Sequence, residues 1–543
     1  MLGPVARPAF KCTEGGNVKT MDIIGNRTLR DLLNEKTSIH REKTFLLFED
    51  RERKRFEVTY EEFADQVNRL SNVFLDMGVK KGQHVTLHLP NNLEFMVSWF
   101  ALANIGAIMV PTNVLSTSDE MEYILNHSES VLLITEEEYL GKFTSIREQL
   151  PKLQNILLAR YYGKSYADQD LKKLIANASK DQPTIPLDSE DVAAMLYTSG
   201  TTSKPKGVQI THANYLFTGE VMSKSIRLTP DDRQFIVLPL FHGNAQYYST
   251  MSALVVGASI AIMERFSASR YFKQARNFKV TVGSLFAAPI RMILAQKYDL
   301  EDKNNDMRII WFAQSVSEEQ LREFEEKFSV PLLQMYGMTE TVGVPLMNPI
   351  DGIPKNMSIG KPTIGYEVKI VDDEGVEVLN GQTGQIAVKG IPGRSLMKGY
   401  FKNPQATVET LIDGWLYTGD NGRLGDDGYF YFVDRKKDMI KRAGENVAAN
   451  EVESVLADHY SVYESAVIGI PDDMRDEAIK AYVILRENTK VNEEELIQYC
   501  SERLAKFKVP DSIEFVSEFP RTAVGKIQKH ILRLMHDEKV HKM

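Results

Sequence analysis

Short apolar runs and helix-spaced segments take turns along most of this chain, and that alternation restricts the fold more than any other feature. HVTLHL (84–89) alternates as a strand, and NLEFMVSWFALANIG (92–106) carries helical spacing. AIMVP (107–111) and VLLIT (131–135) read as short buried strands. The rhythm returns after residue 190 with AAMLYT, a loop, and a helix from about Thr211. FIVLPL, ASIAIM, VTVGSL and IIWF follow, with helices between them. Such alternation predicts an α/β fold of doubly wound, mostly parallel sheets with helices on both faces. In these sheets ligands bind beyond the carboxyl ends of the strands.

From about residue 358 the pattern changes. Gly, Asp and Pro turns break short strands (YEVKIVDDEG, GQIAVKG, GYFYFVD), which predicts a β-rich subdomain over about 358–433. The charged run DRKKDMIKR (434–442) follows, and a compact unit closes the chain. The expected division is a flexible leader over 1–20, a large domain over 21–436 and a small mobile α+β domain over 437–543. A length of 543 residues fits three or four packing units of ~150 residues each.

Composition removes several classes of function. Sixty-five Lys and Arg against seventy-four Asp and Glu give a net charge of −9, against the basic face that nucleic acid requires. Two cysteines, Cys12 and Cys500, form neither a disulfide framework nor a zinc pattern, which places the chain in a reducing compartment such as the cytoplasm. Cys500, in EELIQYCSERL, reads as a buried small residue. No uninterrupted apolar stretch reaches the ~18 residues of a membrane span. The first twenty residues lack the apolar core of a secretory signal.

The densest chemistry lies at 197–208: Tyr197, Thr198, Ser199, Gly200, Thr201, Thr202, Ser203, Lys204, Pro205, Lys206, Gly207 and Val208. The segment follows a strand and is expected to lead into a helix. Hydroxyls, two lysines and free N–H groups in one Gly-containing loop suit a polyanion. It is not a Walker loop, because the G-x-x-x-x-G-K-[ST] order is missing.

This loop resembles the signature of the adenylate-forming superfamily, which includes acyl-CoA synthetases, peptide-synthetase adenylation domains and firefly-type luciferases. Other motifs of that family follow in order. Tyr336-Gly337-Met338-Thr339-Glu340 resembles the motif whose Tyr stacks on adenine, whose Thr meets the α-phosphate and whose Glu holds Mg²⁺. A Glu beside a phosphate loop is repelled unless a cation lies between them. Tyr417-Thr418-Gly419-Asp420 is similar to the ribose motif, with Asp420 accepting from the hydroxyls. In Asp434-Arg435-Lys436-Lys437-Asp438 the resemblance assigns ribose contact to Arg435 and the hinge to Lys437. Gly444 falls on the face used with coenzyme A. Pro520-Arg521-Thr522-Ala523-Val524-Gly525-Lys526 matches the loop whose lysine reaches the carboxylate and α-phosphate.

The resemblance implies an ATP-dependent acid–CoA ligase that forms an acyl-adenylate, with Thr339, Glu340, His242 and Lys526 catalytic. ATP or AMP would meet Thr198, Ser199, Gly200, Thr201, Thr202, Lys206, Tyr336, Gly337, Asp420 and Arg435. Phe241-His242-Gly243 resembles the aromatic gate, so Phe241, Gly243, Asn244, Tyr248, Phe312 and Gln314 are expected to line the acyl pocket. The implied partners are a small carboxylic acid, ATP, coenzyme A and Mg²⁺, with neither nucleic acid nor membrane insertion; a homodimer is compatible with this. Residues 21–25, 390–407, DRKKDMIKRAGENV and 475–481 resemble bacterial crotonobetaine/carnitine–CoA ligases. A trimethylammonium group needs a carboxylate or an aromatic cage, and 241–250 holds no carboxylate. On an ordinary helix Tyr247 and Tyr248 diverge by ~100°, so one at most should face the pocket. Medium-chain and other small acids, or a stand-alone adenylation enzyme loading a carrier protein, are the alternatives.

Overall fold

The computed structural model describes residues 23–161, 163, 169–198, 204–435, 438–442, 445–472, 475–521 and 527–542. The leader expected over 1–20 lies outside them. Two large sheets form the body. The first has nine strands, ordered Lys361–Pro362, Leu346–Met347, Leu332–Tyr336, Ile309–Ala313, Val282–Phe286, Arg233–Ile236, Ser259–Met263, Thr44–Glu49 and Arg55–Thr59. Its six central strands are parallel and its edges antiparallel. The second has seven: Gly399–Tyr400, Lys206–Thr211, Val192–Thr198, Ile108–Pro111, His84–His88, Leu132–Glu136 and Asn155–Ala159. It is parallel from Val192–Thr198 onward.

Both sheets share one core because the helices between them are apolar on every side. Leu93–Ile105 buries eleven residues, starts at Asn92, whose side chain accepts from the Phe95 N–H, and ends at Gly106 with φ 72°. His212–Ser225 is likewise buried around its circumference. The two meet at Trp99 and Tyr215, whose rings lie 5.1 Å apart. A helix apolar all round is stable only when covered on all sides.

A charge cluster also ties the sheets together. Glu264, beyond Ser259–Met263, accepts from Arg51 and Arg160, each at 2.8 Å. Arg51 and Arg160 also pair with Glu136, at the end of Leu132–Glu136 in the other sheet.

A third, antiparallel sheet contains Glu367–Val371, Gly384–Lys389, Trp415–Leu424, Leu411–Ile412 and Phe430–Arg435. The C-terminal sheet contains Glu445–Ala448, Met439–Arg442, Asp476–Leu485, Val462–Asp472 and Ser512–Phe515, with helices Ala449–Ala457, Glu493–Ser501 and Lys529–Lys542. Cys500 is fully buried there, and burial pushes its thiol up to about 11.

One expectation is corrected. The helix expected from about Thr211 is present, but the 197–208 loop reaches it through a strand that the sequence pattern did not reveal. The loop joins the antiparallel strands Val192–Thr198 and Lys206–Thr211, and the helix begins at His212. Val208 and Ile210 face the core while Gln209 does not, the alternation of a half-buried strand.

Candidate active site

Thr198 and Lys206 stand on facing strands at the base of the signature loop, as cross-strand partners. The strand Leu332–Tyr336 delivers Tyr336, and the turn after it delivers Glu340. The Thr198 hydroxyl donates to Glu340 Oε1 at 3.4 Å. The Tyr400 hydroxyl donates to the same oxygen at 3.0 Å. Lys206 places its ammonium 4.6 Å from the centre of the Tyr400 ring. Segment 397–401 clamps this arrangement: the Met397 N–H donates to the Glu340 carbonyl, and the Lys398 and Phe401 N–H groups donate to the carbonyls of Gln209 and Gly207.

Glu340 is buried, and burial raises its carboxyl above the ordinary range. Its own N–H, the Tyr400 and Thr198 hydroxyls and the Lys206 charge pull the other way. Among the described residues, hydroxyls rather than an ion pair meet its oxygen. A buried carboxylate held mainly by hydroxyls can still gain from an arriving cation.

The Tyr336 hydroxyl donates to Asp420 Oδ2 at 2.7 Å. Asp420 and Arg435 are cross-strand partners, with Arg435 Nε 3.8 Å from Asp420 Oδ1. The Thr418 hydroxyl donates to the Ile386 carbonyl, and the Asp420 N–H donates to the Thr418 oxygen. Between the two groups opens a cavity of about 480 Å³, bordered by Lys206, Met338, Gln385, Tyr400, Tyr417 and Thr418. The structure thus brings together described parts of four separated motifs. Tyr400 is the residue that motif reading missed. It sits in a run noted only for resemblance, and its one local signal is a short Gly-Tyr strand facing Gln209 and Val208. Ser199, Gly200, Thr201, Thr202, Lys437, Gly444 and Lys526 lie outside the described residues.

Gly337 is needed because a Cβ there would come within 2.7 Å of the Tyr248 hydroxyl and 3.1 Å of the Gly343 carbonyl. The partly buried His242 packs on Phe241 with ring centres 4.3 Å apart. Gly243 gives its space to Tyr247, whose ring would lie 2.7 Å from a Cβ. Residues Asn244–Met251 form a π-helix, buried throughout, rather than ordinary helical turns. Both tyrosines are therefore enclosed, with ring centres 6.0 Å apart: Tyr247 meets Tyr215, and Tyr248 donates to the Gly343 carbonyl. Asn244 accepts from the Ser284 hydroxyl at 2.9 Å, while its buried Nδ2 has no partner among the described residues.

Two acyl-pocket residues take distinct positions. Gln314 adopts φ 78° and its carbonyl accepts from Gln334 Nε2. Phe312 departs from expectation. It is fully buried in the cluster containing Phe235, Leu285, Leu321 and Phe324, whereas Trp311 joins the cluster of Tyr247, Tyr248 and Tyr336. Successive strand residues point to opposite faces, so Phe312 supports the sheet from behind.

Among the described residues, no group of three or more His, Cys, Asp or Glu side chains could hold a metal. A single buried carboxylate is a different kind of site. Mg²⁺ keeps waters and commonly uses one or two carboxylates together with substrate phosphates. Glu340 beside Thr198 and Lys206 fits an ion that arrives with a nucleotide.

Residues 33–401 match the AMP-binding enzymes, and residues 451–526 match the C-terminal domain of AMP-binding enzymes. The chain belongs to the AMP-binding enzyme family. A crotonobetaine/carnitine–CoA ligase of Proteus mirabilis is 39% identical over 520 residues, 94% of this chain and 100% of that protein. The anthranilate CoA ligase AuaEII, solved with anthranoyl-AMP, superimposes with a TM-score of 0.88 at 29% identity, over 95% of this chain and 98% of that one. ATP-bound MatB from Rhodopseudomonas palustris superimposes at 0.84 with 26% identity, covering 94% and 99%.

Proposed function

We propose that this protein is an ATP-dependent carboxylic acid–CoA ligase, an AMP-forming acyl-CoA synthetase. The observation that carries the proposal is Glu340: a buried carboxylate held by Thr198 and Tyr400, with Lys206 beside it, where Lys206 and Tyr400 border a cavity that also meets Tyr417 and Thr418. In the first half-reaction an oxygen of the acid attacks the α-phosphorus, the bond to the β-phosphate oxygen breaks, and pyrophosphate leaves. In the second, the coenzyme A sulfur attacks the acyl carbon, the C–O bond breaks, AMP leaves, and the thiol proton passes to solvent.

Thr198 and Lys206 would orient the phosphates, and Asp420 and Arg435 the ribose. Tyr336 would hold Asp420 in position through its hydroxyl. Lys526 would reach the α-phosphate from the C-terminal unit. Thr339 is assigned to the α-phosphate and His242 to the acid carboxylate. Glu340 would hold Mg²⁺, which when bound neutralises phosphate charge. The division into domains at 436–437, with Lys437 as pivot and Gly444 on the coenzyme A face, belongs to the same reading. So does a cytoplasmic location, supported by the two cysteines, one of them buried.

For the acid, we propose a betaine of the crotonobetaine, carnitine or γ-butyrobetaine type. Its support is the similarity to the Proteus mirabilis ligase over 94% of this chain and 100% of that protein. The deciding measurement is acid-dependent AMP release with free coenzyme A, across these three betaines and medium-chain and aromatic acids. AMP with no acid in the panel would overturn the ligase reading. Release with octanoate and with none of the betaines would overturn the substrate reading alone. AMP release only in the presence of a carrier protein would identify a stand-alone adenylation enzyme.

A further inference from the structure

The strand Arg233–Ile236 ends well short of Phe241, and the π-helix Asn244–Met251 begins only after Gly243. Between them the chain is irregular, yet Val237, Leu238 and Leu240 are buried. A buried stretch without a ladder needs other partners for its backbone N–H and C=O groups.

Two side chains from different elements supply them. Asn91, between the strand His84–His88 and the helix Leu93–Ile105, is 5% exposed. Its Oδ1 accepts from the Leu240 N–H at 2.7 Å. Its Nδ2 donates to the Leu238 carbonyl at 3.0 Å and to the Met263 carbonyl at 3.2 Å. Asn91 thus reaches from the layer of the seven-stranded sheet to the carboxyl ends of two neighbouring strands of the nine-stranded one. Gln246 is fully buried on the π-helix. Its Nε2 donates to the Leu240 carbonyl at 2.6 Å, and its Oε1 accepts from the Tyr215 hydroxyl at 2.5 Å. Leu240 therefore has its N–H held by one amide side chain and its carbonyl by another.

The turn that follows is tied to both anchors. The His242 N–H donates to the Pro239 carbonyl at 3.1 Å, and the His242 carbonyl accepts from the Gln246 N–H at 3.3 Å. Further along the π-helix, the Tyr248 hydroxyl donates to the Gly343 carbonyl and fills the space that a Cβ on Gly337 would need. Held contacts run from Asn91 through His242 to the turn after Tyr336. Removing either amide leaves a buried backbone group unmet, which the segment relieves by shifting.

We propose that Asn91 and Gln246 are positioning residues for the acid: by fixing Leu240 from two sides they set the turn that carries Phe241 and His242. This rests on the acid–CoA ligase reading, in which His242 meets the acid carboxylate. The test uses the full-length protein and the acid that releases most AMP. Asn91→Leu should raise the KM for that acid about tenfold or more, since a misplacement of about 1 Å can cost about 10²-fold. The KM for ATP should stay within about twofold. Gln246→Met should show the same split even if Asn91→Leu folds poorly. A second readout needs no catalysis: amide hydrogen exchange of peptides covering 237–243 and 93–105. In each variant exchange over 237–243 should quicken about tenfold or more while 93–105 is unchanged. An equal rise in both KM values, unchanged exchange over 237–243, or quickening throughout the chain would overturn the proposal. A parent protein that releases no AMP with any acid would instead count against the ligase reading, and exchange would still decide whether the two amides hold Leu240.

Discussion

Glu264 and Glu340 both lie beyond parallel strands of the nine-stranded sheet, and both are 5% exposed. Their surroundings differ. Burial opposes ionisation of Glu264, yet hydrogen bonds and charge from Arg160, with help from Arg51, hold its carboxyl below the ordinary range. For Glu340 burial prevails, and the carboxyl is raised. Equal exposure has opposite outcomes because Glu340 lies deeper and has mainly hydroxyls, whereas Glu264 has two guanidiniums at 2.8 Å. The first belongs to the scaffold that joins the sheets. The second has no ion pair among the described residues, with the Lys206 charge acting on it from farther away.

Substitutions can break this comparison, and the largest effect should fall on the scaffold. Glu264→Gln leaves Arg51 and Arg160 short of a buried partner and should cost about 3–5 kcal/mol of stability, measured by denaturant unfolding, with kcat changed by no more than about threefold. Glu340→Gln should do the reverse. Pyrophosphate exchange should fall by about 10²–10³, or ~3–4 kcal/mol, while thermal stability stays level or rises because an incompletely paired buried charge has gone. If Glu340→Gln unfolds the protein and leaves activity intact, the contrast is wrong.

Tyr400→Phe should have a smaller effect. It removes one hydrogen bond to a carboxylate, about 1.5–3 kcal/mol, and should appear as a roughly tenfold or greater loss of kcat/KM for ATP with no change of fold by circular dichroism. The smallest effect concerns pH. Glu264 is held below its unfolded value, so its contribution is present above that value and is lost as pH falls through the folded value. The stability gap between the parent and Glu264→Gln should therefore narrow between about pH 6 and about pH 3. A gap that widens on acidification would contradict the direction assigned to Glu264.

Much of the scaffold is legible residue by residue. HVTLHL and IIWF become His84–His88 and Ile309–Ala313 because short β-rich apolar runs between turn residues have few other outcomes. Pairing was not legible. Thr44–Glu49 lies beside Ser259–Met263, far along the chain, and no local pattern selects that neighbour. Lys206–Thr211 was read as loop and helix start because lysine, glycine and threonine obscure its alternation. Phe312 was misplaced because IIWF is apolar on both faces, so period-two reasoning cannot tell the cleft side from the back. In the π-helix neighbouring side chains still diverge, and Tyr247 and Tyr248 are both enclosed because the whole segment Asn244–Met251 is buried.

By itself, the sequence determined the α/β class, the order of the motifs and the chemistry each could offer, because these depend on residue type and local spacing. The tertiary structure decided which described groups meet. It joined Thr198, Glu340 and Tyr400 across the two large sheets, and Tyr336, Asp420 and Arg435 across the nine-stranded sheet and the antiparallel one. It also supplied Arg51 and Arg160 to Glu264 and, among the described residues, the Thr198 and Tyr400 hydroxyls to Glu340. The physical reason is that a carboxylate's state depends on burial and on its neighbours in space, and burial and neighbours exist only once distant strands have paired.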